Sequence, residues 1–332
     1  MNVVASAPGK IVVSGEYAVL VGAPALVVAV DRRTTCTLRI EKSGDWRFTT
    51  HGFASDTTHL LGALVATDLP GSDPAYLCAH VLRHLGTVGA LVADLPRHLS
   101  VDIDSRAGFA DGIKLGIGTS ASVCVAFAAA LSKLLGRGDD VFPLAFAAHR
   151  AAQGGRGSGI DIAAACRGGL VRYTTQPAPS AARIAIPAVA FEAFATGTAA
   201  DTGRHIASFD KWRRGGIPPS LARLVDASAR VADAVGDART FVRELRAYAA
   251  ALRALDNSAS LGIYSAAHET LAELAERHAV VYKPCGAGGG DLGAAFAVDR
   301  GALDAFARAA HAHGFVRLTL ELDEHGITVG AR

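Results

Sequence analysis

Cysteine is sparse in this 332-residue chain: Cys36, Cys78, Cys124, Cys166 and Cys285 are scattered, odd in number and never in CxxC spacing. That excludes a disulfide-stapled scaffold and a cysteine zinc site, and predicts a reduced, cytoplasmic chain. The 12 histidines form no HExxH and no tight cluster, so no transition-metal centre is expected. His311 and His313 share HAH spacing and read as a solvated helix end. Excess charge is also missing. A formal net charge of +2 leaves no electrostatic footprint for nucleic acid or a membrane surface. No charge-free apolar run approaches the ~20 residues of a membrane span. The opening MNVVASAPGK lacks the basic region, long apolar core and cleavage site of a secretory signal.

Apolar residues, by contrast, make up 50% of the chain, enough for a sizeable core in two domains. Residues 3–40 alternate or run apolar and read as short strands broken at glycine and proline. A helical pattern follows at 74–88, then a strand, LSVDID, at 99–104. SASVCVAFAAALSKLL, 120–135, is small and apolar nearly all round, which predicts a buried helix. FPLAFAAHRAAQ is a second helix ending at the break GGRGSG, and IDIAAACRGGLVRY leads into a strand. The Pro-rich stretch at 174–187 marks a boundary, giving domains at 1–182 and 183–332. Beyond it come the strand-like AVAFEAFATG, long helices between 218 and 256, and a helix at about 261–278. A helix at 301–314 and the strand FVRLTLELD complete the pattern. Strands and helices mix without regular βαβ repetition, so the reading is α+β, not a Rossmann fold.

Three segments rich in glycine carry the chemistry. In LGIGTSAS, 115–122, Gly116 and Gly118 free the backbone, and Thr119 or Ser120 is suited to cap the next helix. A loop feeding a helix N-terminus aims N–H groups and the positive dipole end at one spot, an anion site. It is not a Walker A loop, and GxGxxG fails because residue 121 is alanine. Alone it is a weak signal, compatible with an ordinary capped core helix. APGKIVVSGEYAVL places Lys10 after Pro-Gly at a strand start, where it is either a snorkelling surface lysine or a fixed charge for a phosphate or carboxylate. KPCGAGGGDLG, 283–293, sits between apolar runs, which argues for backbone pressed close to a ligand over a flexible linker.

Taken in order along nearly the whole chain, PGK…GEYAVL, GIGTSAS and GAGGGD resemble the GHMP small-molecule kinases. Within that superfamily, DGIKLGIGTSAS, AHRAAQGGRGSGIDIAAACRGG, ATGTAADT and KPCGAGGGDLG look most like the bacterial phosphomevalonate kinases, with mevalonate kinases next. The resemblance implies a two-domain GHMP kinase fold with a ribosomal-protein-like N-terminal domain and a ferredoxin-like C-terminal domain. It also implies ATP and Mg²⁺ as cofactors and a small-molecule acceptor, with monomer and homodimer both open. Lys114, Gly116, Ile117, Gly118, Thr119, Ser120 and Ala121 would cradle the nucleotide phosphates, with Ser120 the hydroxyl for Mg²⁺. Lys10 and Asp161 would face the acceptor, and Lys10, Ser120 and Asp161 form the expected catalytic set. Glu16, Tyr17, Ser158, Thr196, Cys285, Gly286, Ala287, Gly288 and Asp291 complete the acceptor side.

Phosphoryl transfer needs positioning and charge neutralisation more than covalent chemistry. The implied reaction is phosphorylation of (R)-5-phosphomevalonate to the 5-diphosphate. A phosphomonoester is mostly dianionic at neutral pH because its second pKa is about 6. Asp161 then need only orient, whereas an alcohol acceptor would use it as a base. Lys10, Lys114, Arg156, Arg204, His205 and Lys211 supply cations near the motifs, although Arg204, His205 and Lys211 individually read as surface groups. Glu16 reads as structural, tying down the first loop, more than catalytic. Asp161 fits a bland reading as a helix N-cap, and Lys114 one as a solvated loop lysine.

Three departures stand out. His149-Arg150 occupies the neighbourhood where many relatives carry a magnesium-holding glutamate, Cys285 stands where serine is common, and Phe194-Ala195 replaces an aromatic-first WTG pattern. Two alternatives stay open: a kinase of the same fold acting on mevalonate or a sugar, and a catalytically silent metabolite-binding regulator. Turnover across an acceptor panel separates the first, and stabilisation by ATP–Mg²⁺ argues against the second.

Overall fold

The computed structural model describes residues 2–52, 56–110, 113–138, 140–198 and 200–331. Asp111 and Gly112 of the DGIK run and Ala199 of ATGTAADT lie outside the described residues. β1 (Asn2–Ser14) and β2 (Ala25–Ile40) form a long antiparallel pair. β2 is buried on both faces over Ala25–Val30 and then alternates, because its first half lies between β1 and a later strand under helices on both sides. β3 (Trp46–His51) and β4 (Thr57–His59) extend the sheet, and β3 runs parallel to β5 (Leu99–Asp104). Between them lie α1 (Leu61–Ala66) and α2 (Tyr76–Arg83). The α-helix expected at 74–88 is this shorter one, continued by a 3₁₀ turn over Leu85–Val88.

The two-residue hairpin β6 (Phe109–Ala110) and β7 (Ile113–Lys114) leads to α3 (Thr119–Leu134), whose Ala-rich surface is buried almost all round. Small side chains let β1, β2, α2, α4 (Phe142–Ala152) and α5 (Ile160–Arg167) close on it from every side. The expected hydroxyl cap is corrected here. Gly118, left-handed at φ 79, is the N-cap of α3, and no side chain caps the helix. Thr119 is already the first helical residue, and its Oγ1 is buried without a partner among the described residues.

β8 (Leu170–Thr174) pairs with β2, and β9 (Ser180–Ile184) pairs with β8, so the Pro-rich stretch is a hairpin of the first sheet. The expected division at 182/183 falls inside β9. β10 (Ala190–Ala195) opens the second sheet, followed by α6 (Thr202–Trp212), α7 (Pro219–Asp233) and α8 (Ala238–Ala259). α8 buries Phe241, Leu245, Tyr248, Leu252 and Leu255, one apolar stripe at helical spacing. α9 (Ala266–Arg277) starts later than the expected residue 261. β11 (Val281–Pro284) and β12 (Leu292–Ala297) flank the glycine segment. α10 (Arg300–Ala312) and β13 (Val316–Leu318) complete a four-stranded sheet ordered β11-β12-β10-β13.

The strand expected at 315–323 stops at Leu318. The chain then returns to the first sheet through a bridge from Leu322 to Val30 and β14 (Thr328–Ala331), which pairs with β1. One core lies between the first sheet and α2–α5, and a second joins the sheet's other face to α7, α8 and the second sheet. That shared core brings the three glycine segments together. Among the described residues, no helix is long and apolar enough to cross a membrane.

Candidate active site

A cavity of about 450 Å³ opens where the three segments meet. From β1 and the turn after it come Lys10, Glu16 and Tyr17, and from the first glycine loop come Lys114, Gly116, Gly118 and Ser120. Ser158 and Asp161 border it from the start of α5, and Cys285, Gly286, Ala287 and Asp291 from the last glycine segment. Five expected residues do not line it. Ile117, Thr119 and Ala121 are buried behind the loop, at 1%, 2% and 1% exposure. Thr196 donates its hydroxyl to the Asp291 carbonyl at 3.1 Å, and Gly288 packs on Ile263.

Lys10 is held by main chain. Its N–H donates to the Ile117 carbonyl at 2.8 Å, which staples β1 to the loop, and its Nζ donates to the Gly116 carbonyl at 3.2 Å. The same Nζ lies 3.9 Å from Asp161 Oδ2. Asp161 is in the first turn of α5, after Gly159 at φ 82, so it is not the N-cap. Gly118 packs against the Lys10 stem, with Cγ 3.1 Å from where a Cβ would sit. The N–H groups of Ala121 and Ser122 donate to the Gly118 carbonyl at 3.0 and 3.1 Å, and the cavity wall beside Gly118 carries the positive end of a 16-residue helix.

Ser120 Oγ lies 3.1 Å from His149 Nε2, and the Gln153 amide nitrogen lies 3.5 Å from the same atom. His149 is buried, and burial lowers its pKa, with Asp161 opposing and Lys114 adding to the drop. A neutral ring whose Nε2 accepts from both neighbours satisfies this geometry. The Ser120 proton then points at His149 and its oxygen lone pairs are left toward the cavity.

Two residues bordering the cavity hold left-handed backbone: Tyr17 at φ 62 and Asp291 at φ 55. Such conformations persist where surrounding contacts over-determine them. The Tyr17 hydroxyl donates to the Ala287 carbonyl at 2.6 Å, and Asp291 Oδ1 accepts from Ala200 N at 3.0 Å. Asp291 thereby fixes the segment entering α6. Glu16 borders the cavity, but its carboxylate is engaged inside the protein. Oε1 pairs with Lys283 Nζ at 2.5 Å and Oε2 accepts from the Tyr248 hydroxyl at 2.6 Å. That agrees with the structural reading of this residue.

Sequence reasoning missed α6, which brings Asp201, Thr202 and Ile206 to the cavity rim. The signal was there: the Asp201 side chain caps Arg204 N, and Ile206 and Phe209 stand one turn apart. Arg204 and Lys211 are exposed, and His205 packs on Gly289. Lys283 and Tyr248 were also unread as site supports.

Comparison with known proteins agrees with this geometry. Residues 75–169 match the GHMP kinases N terminal domain. A phosphomevalonate kinase from a Streptomyces species is 31% identical over 340 residues, covering 89% of both chains. The chain belongs to the GHMP kinase family. This GHMP kinase is also 30% identical to a mevalonate kinase of Aeropyrum pernix, over 72% of its own length and 65% of that protein. Among solved structures, a Listeria innocua protein superposes with a TM-score of 0.84 at 22% identity, covering 99% of both chains. A Streptococcus pneumoniae phosphomevalonate kinase, solved with phosphomevalonate and AMPPNP, superposes at 0.79 with 21% identity, over 96% of this chain and 99% of that one. These likenesses establish the two-domain GHMP fold, and the family makes the protein an ATP-dependent phosphotransferase.

Proposed function

We propose that this GHMP kinase transfers the γ-phosphoryl group of ATP to (R)-5-phosphomevalonate, giving 5-diphosphomevalonate and ADP. One observation carries the reading: Lys10, held against the Gly116 carbonyl at 3.2 Å, stands 3.9 Å from Asp161 beside the α3 N-terminus. The 31% identity to a phosphomevalonate kinase along 89% of the chain supports the acceptor. Residues 1–182 carry the nucleotide loop on this reading, and residues 183–332 complete the acceptor side.

Gly116, Gly118 and the first turn of α3 receive the β- and γ-phosphates, with Lys114 at the rim. Lys10 faces the space between the γ-phosphate and the acceptor, where it lowers the repulsion between two anions. The acceptor phosphate is already ionised at neutral pH, since its second pKa is about 6. Its oxygen attacks the γ-phosphorus, the bond to the β–γ bridging oxygen breaks, and ADP departs with that electron pair. No proton need move to Asp161, which orients Lys10 and the acceptor. Tyr17, Ser158 and the 285–291 segment shape the acceptor wall.

Ser120 and Asp161 border one cavity, while no trio of His, Cys, Asp or Glu gathers among the described residues. That fits a hard cation which keeps waters and shares phosphate oxygens, not one held in an all-protein cage. When bound, Mg²⁺ would neutralise phosphate charge, and Ser120, whose hydroxyl faces His149, would help to hold it.

A second reading, mevalonate as acceptor, is favoured by the Aeropyrum relative at 30% identity. Asp161 would then take the hydroxyl proton. A coupled ADP-release assay across phosphomevalonate, mevalonate and free sugars decides. Turnover of phosphomevalonate is expected, and turnover of mevalonate or a sugar without it overturns the assignment.

A further inference from the structure

Beside the active-site cavity lies a second one of about 460 Å³, which shares Leu20, Gly157, Ser158 and Ile206 with it. None of these comes from the phosphate loop at 114–121. The shared wall is the acceptor side: the Tyr17 turn, the loop before Asp161, and α6. Ser158, which lines both spaces, stands three residues before Asp161, a chain distance of at most about 10 Å.

The second cavity is cationic. Arg150, Arg156 and Arg213 line it against the single carboxylate of Asp210, leaving two positive charges in excess. Arg213 pairs with Asp210 at 2.9 Å, and Arg150 Nε donates to the Gly155 carbonyl at 2.9 Å. Arg156 differs from both. It is exposed, sits between the left-handed glycines Gly155 and Gly157, and its guanidinium has no partner among the described residues.

We propose that this cavity receives the carboxylate end of the acceptor, with Arg156 making the contact and Arg150 and Arg213 setting the field. The inference rests on the phosphomevalonate reading, in which the molecule carries a carboxylate remote from the phosphate that reacts. A planar guanidinium is matched to a carboxylate and can donate two parallel hydrogen bonds to it. Leu20, Phe146 and Ile206 give the intervening carbon chain an apolar floor. Two anchors of opposite duty follow: Lys10 neutralises the reacting end, and Arg156 selects the passive end.

The experiment compares wild type with Arg156→Ala and Arg213→Ala on phosphomevalonate and on its carboxamide analogue. Arg156→Ala is expected to raise KM for phosphomevalonate about ten-fold or more, with kcat held within about two-fold. Its KM for the carboxamide and for ATP should match wild type, and Arg213→Ala should show the same pattern more weakly. An unchanged acceptor KM, an equal rise for the carboxamide, or a rise in KM for ATP instead overturns the subsite while leaving the kinase reading intact. Absence of phosphomevalonate turnover by wild type overturns the kinase assignment itself, and this inference with it.

Discussion

Lys283 Nζ and Glu16 Oε1 lie 2.5 Å apart with side-chain exposures of 0% and 1%, a sealed ion pair between β11 and the turn after β1. Tyr248 of α8 closes it, donating to Glu16 Oε2 at 2.6 Å and accepting from Gly15 N at 2.9 Å. Burial opposes the Lys283 charge, but Cys285 and the Glu16 carboxylate outweigh it and hold its pKa above the ordinary lysine value. The pair registers the first and last glycine segments against each other. Glu16→Gln or Lys283→Met alone strands a buried charge and should cost about 3–5 kcal/mol. The double variant should recover much of that loss, and a double-mutant cycle on urea midpoints measures it. Additive losses would show that the two residues act independently.

Lys10 and Asp161 make separable kinetic predictions. On the proposed reading, Lys10→Met removes a fixed cation beside the transferred phosphate and should lower kcat about 10²–10³-fold. With phosphomevalonate as the proposed acceptor, Asp161→Asn should lower kcat with the acidic limb of the kcat/KM profile unmoved, because an ionised phosphate donates no proton. A limb that disappears in Asp161→Asn would instead mark Asp161 as a base and favour an alcohol acceptor.

Much of this was legible in the sequence, for identifiable reasons. The buried all-round pattern of α3 and the glycine loop before it are local signals, and both appear within a residue or so of expectation. Lys10, Ser120, Asp161 and Asp291 line one cavity, as the family resemblance of the ordered motifs implied. The ion pair of Lys283 and Glu16 was not legible, because it spans 267 positions and a lysine beside proline looks like any strand-end charge. Nor was β14 foreseen: its four residues gain strand character only by pairing with β1 at the far end of the chain. Thr119 reads as a cap, but left-handed Gly118 already takes that place.

Gly116 is a sharp test of loop geometry. At φ 70 a side chain there is strained, and an added Cβ would sit 2.4 Å from Asp291 Cβ. Gly116→Ala should therefore push the first glycine loop from the last and abolish most turnover, with a loss of stability of a few kcal/mol. Gly62, inside α1 with open space around its Cβ position, is the control. Gly62→Ala should stabilise by about 0.4–1 kcal/mol with activity unchanged. Equal activity in the two variants would mean that Gly116 needs neither its conformation nor its contact.

His268 predicts the pH response of the acceptor side. Its Nε2 faces the Gly290 carbonyl at 3.2 Å, which can only accept, so Nε2 carries the proton and Nδ1 accepts from the Tyr282 hydroxyl at 2.8 Å. The Tyr282 bond requires a neutral ring, whereas the Gly290 bond is available to the ring in either charge state. Burial lowers its pKa from 6.5 to about 4, with the Gly290 bond opposing and Lys283 reinforcing the drop. A depressed folded-state value means that the unfolded chain takes up the proton first as pH falls. The stabilisation is complete above pH 6.5 and is lost progressively down to about 4, a change of roughly 3 kcal/mol at 1.36 kcal/mol per unit. His268→Gln lacks the titration, so its stability should fall less over that interval, although it is lower at neutral pH. Urea midpoints across pH 4–7 measure both proteins. Parallel curves would mean that His268 remains neutral in the unfolded chain or charged in the fold, and neither fits a ring sealed between Tyr282 and the glycine segment.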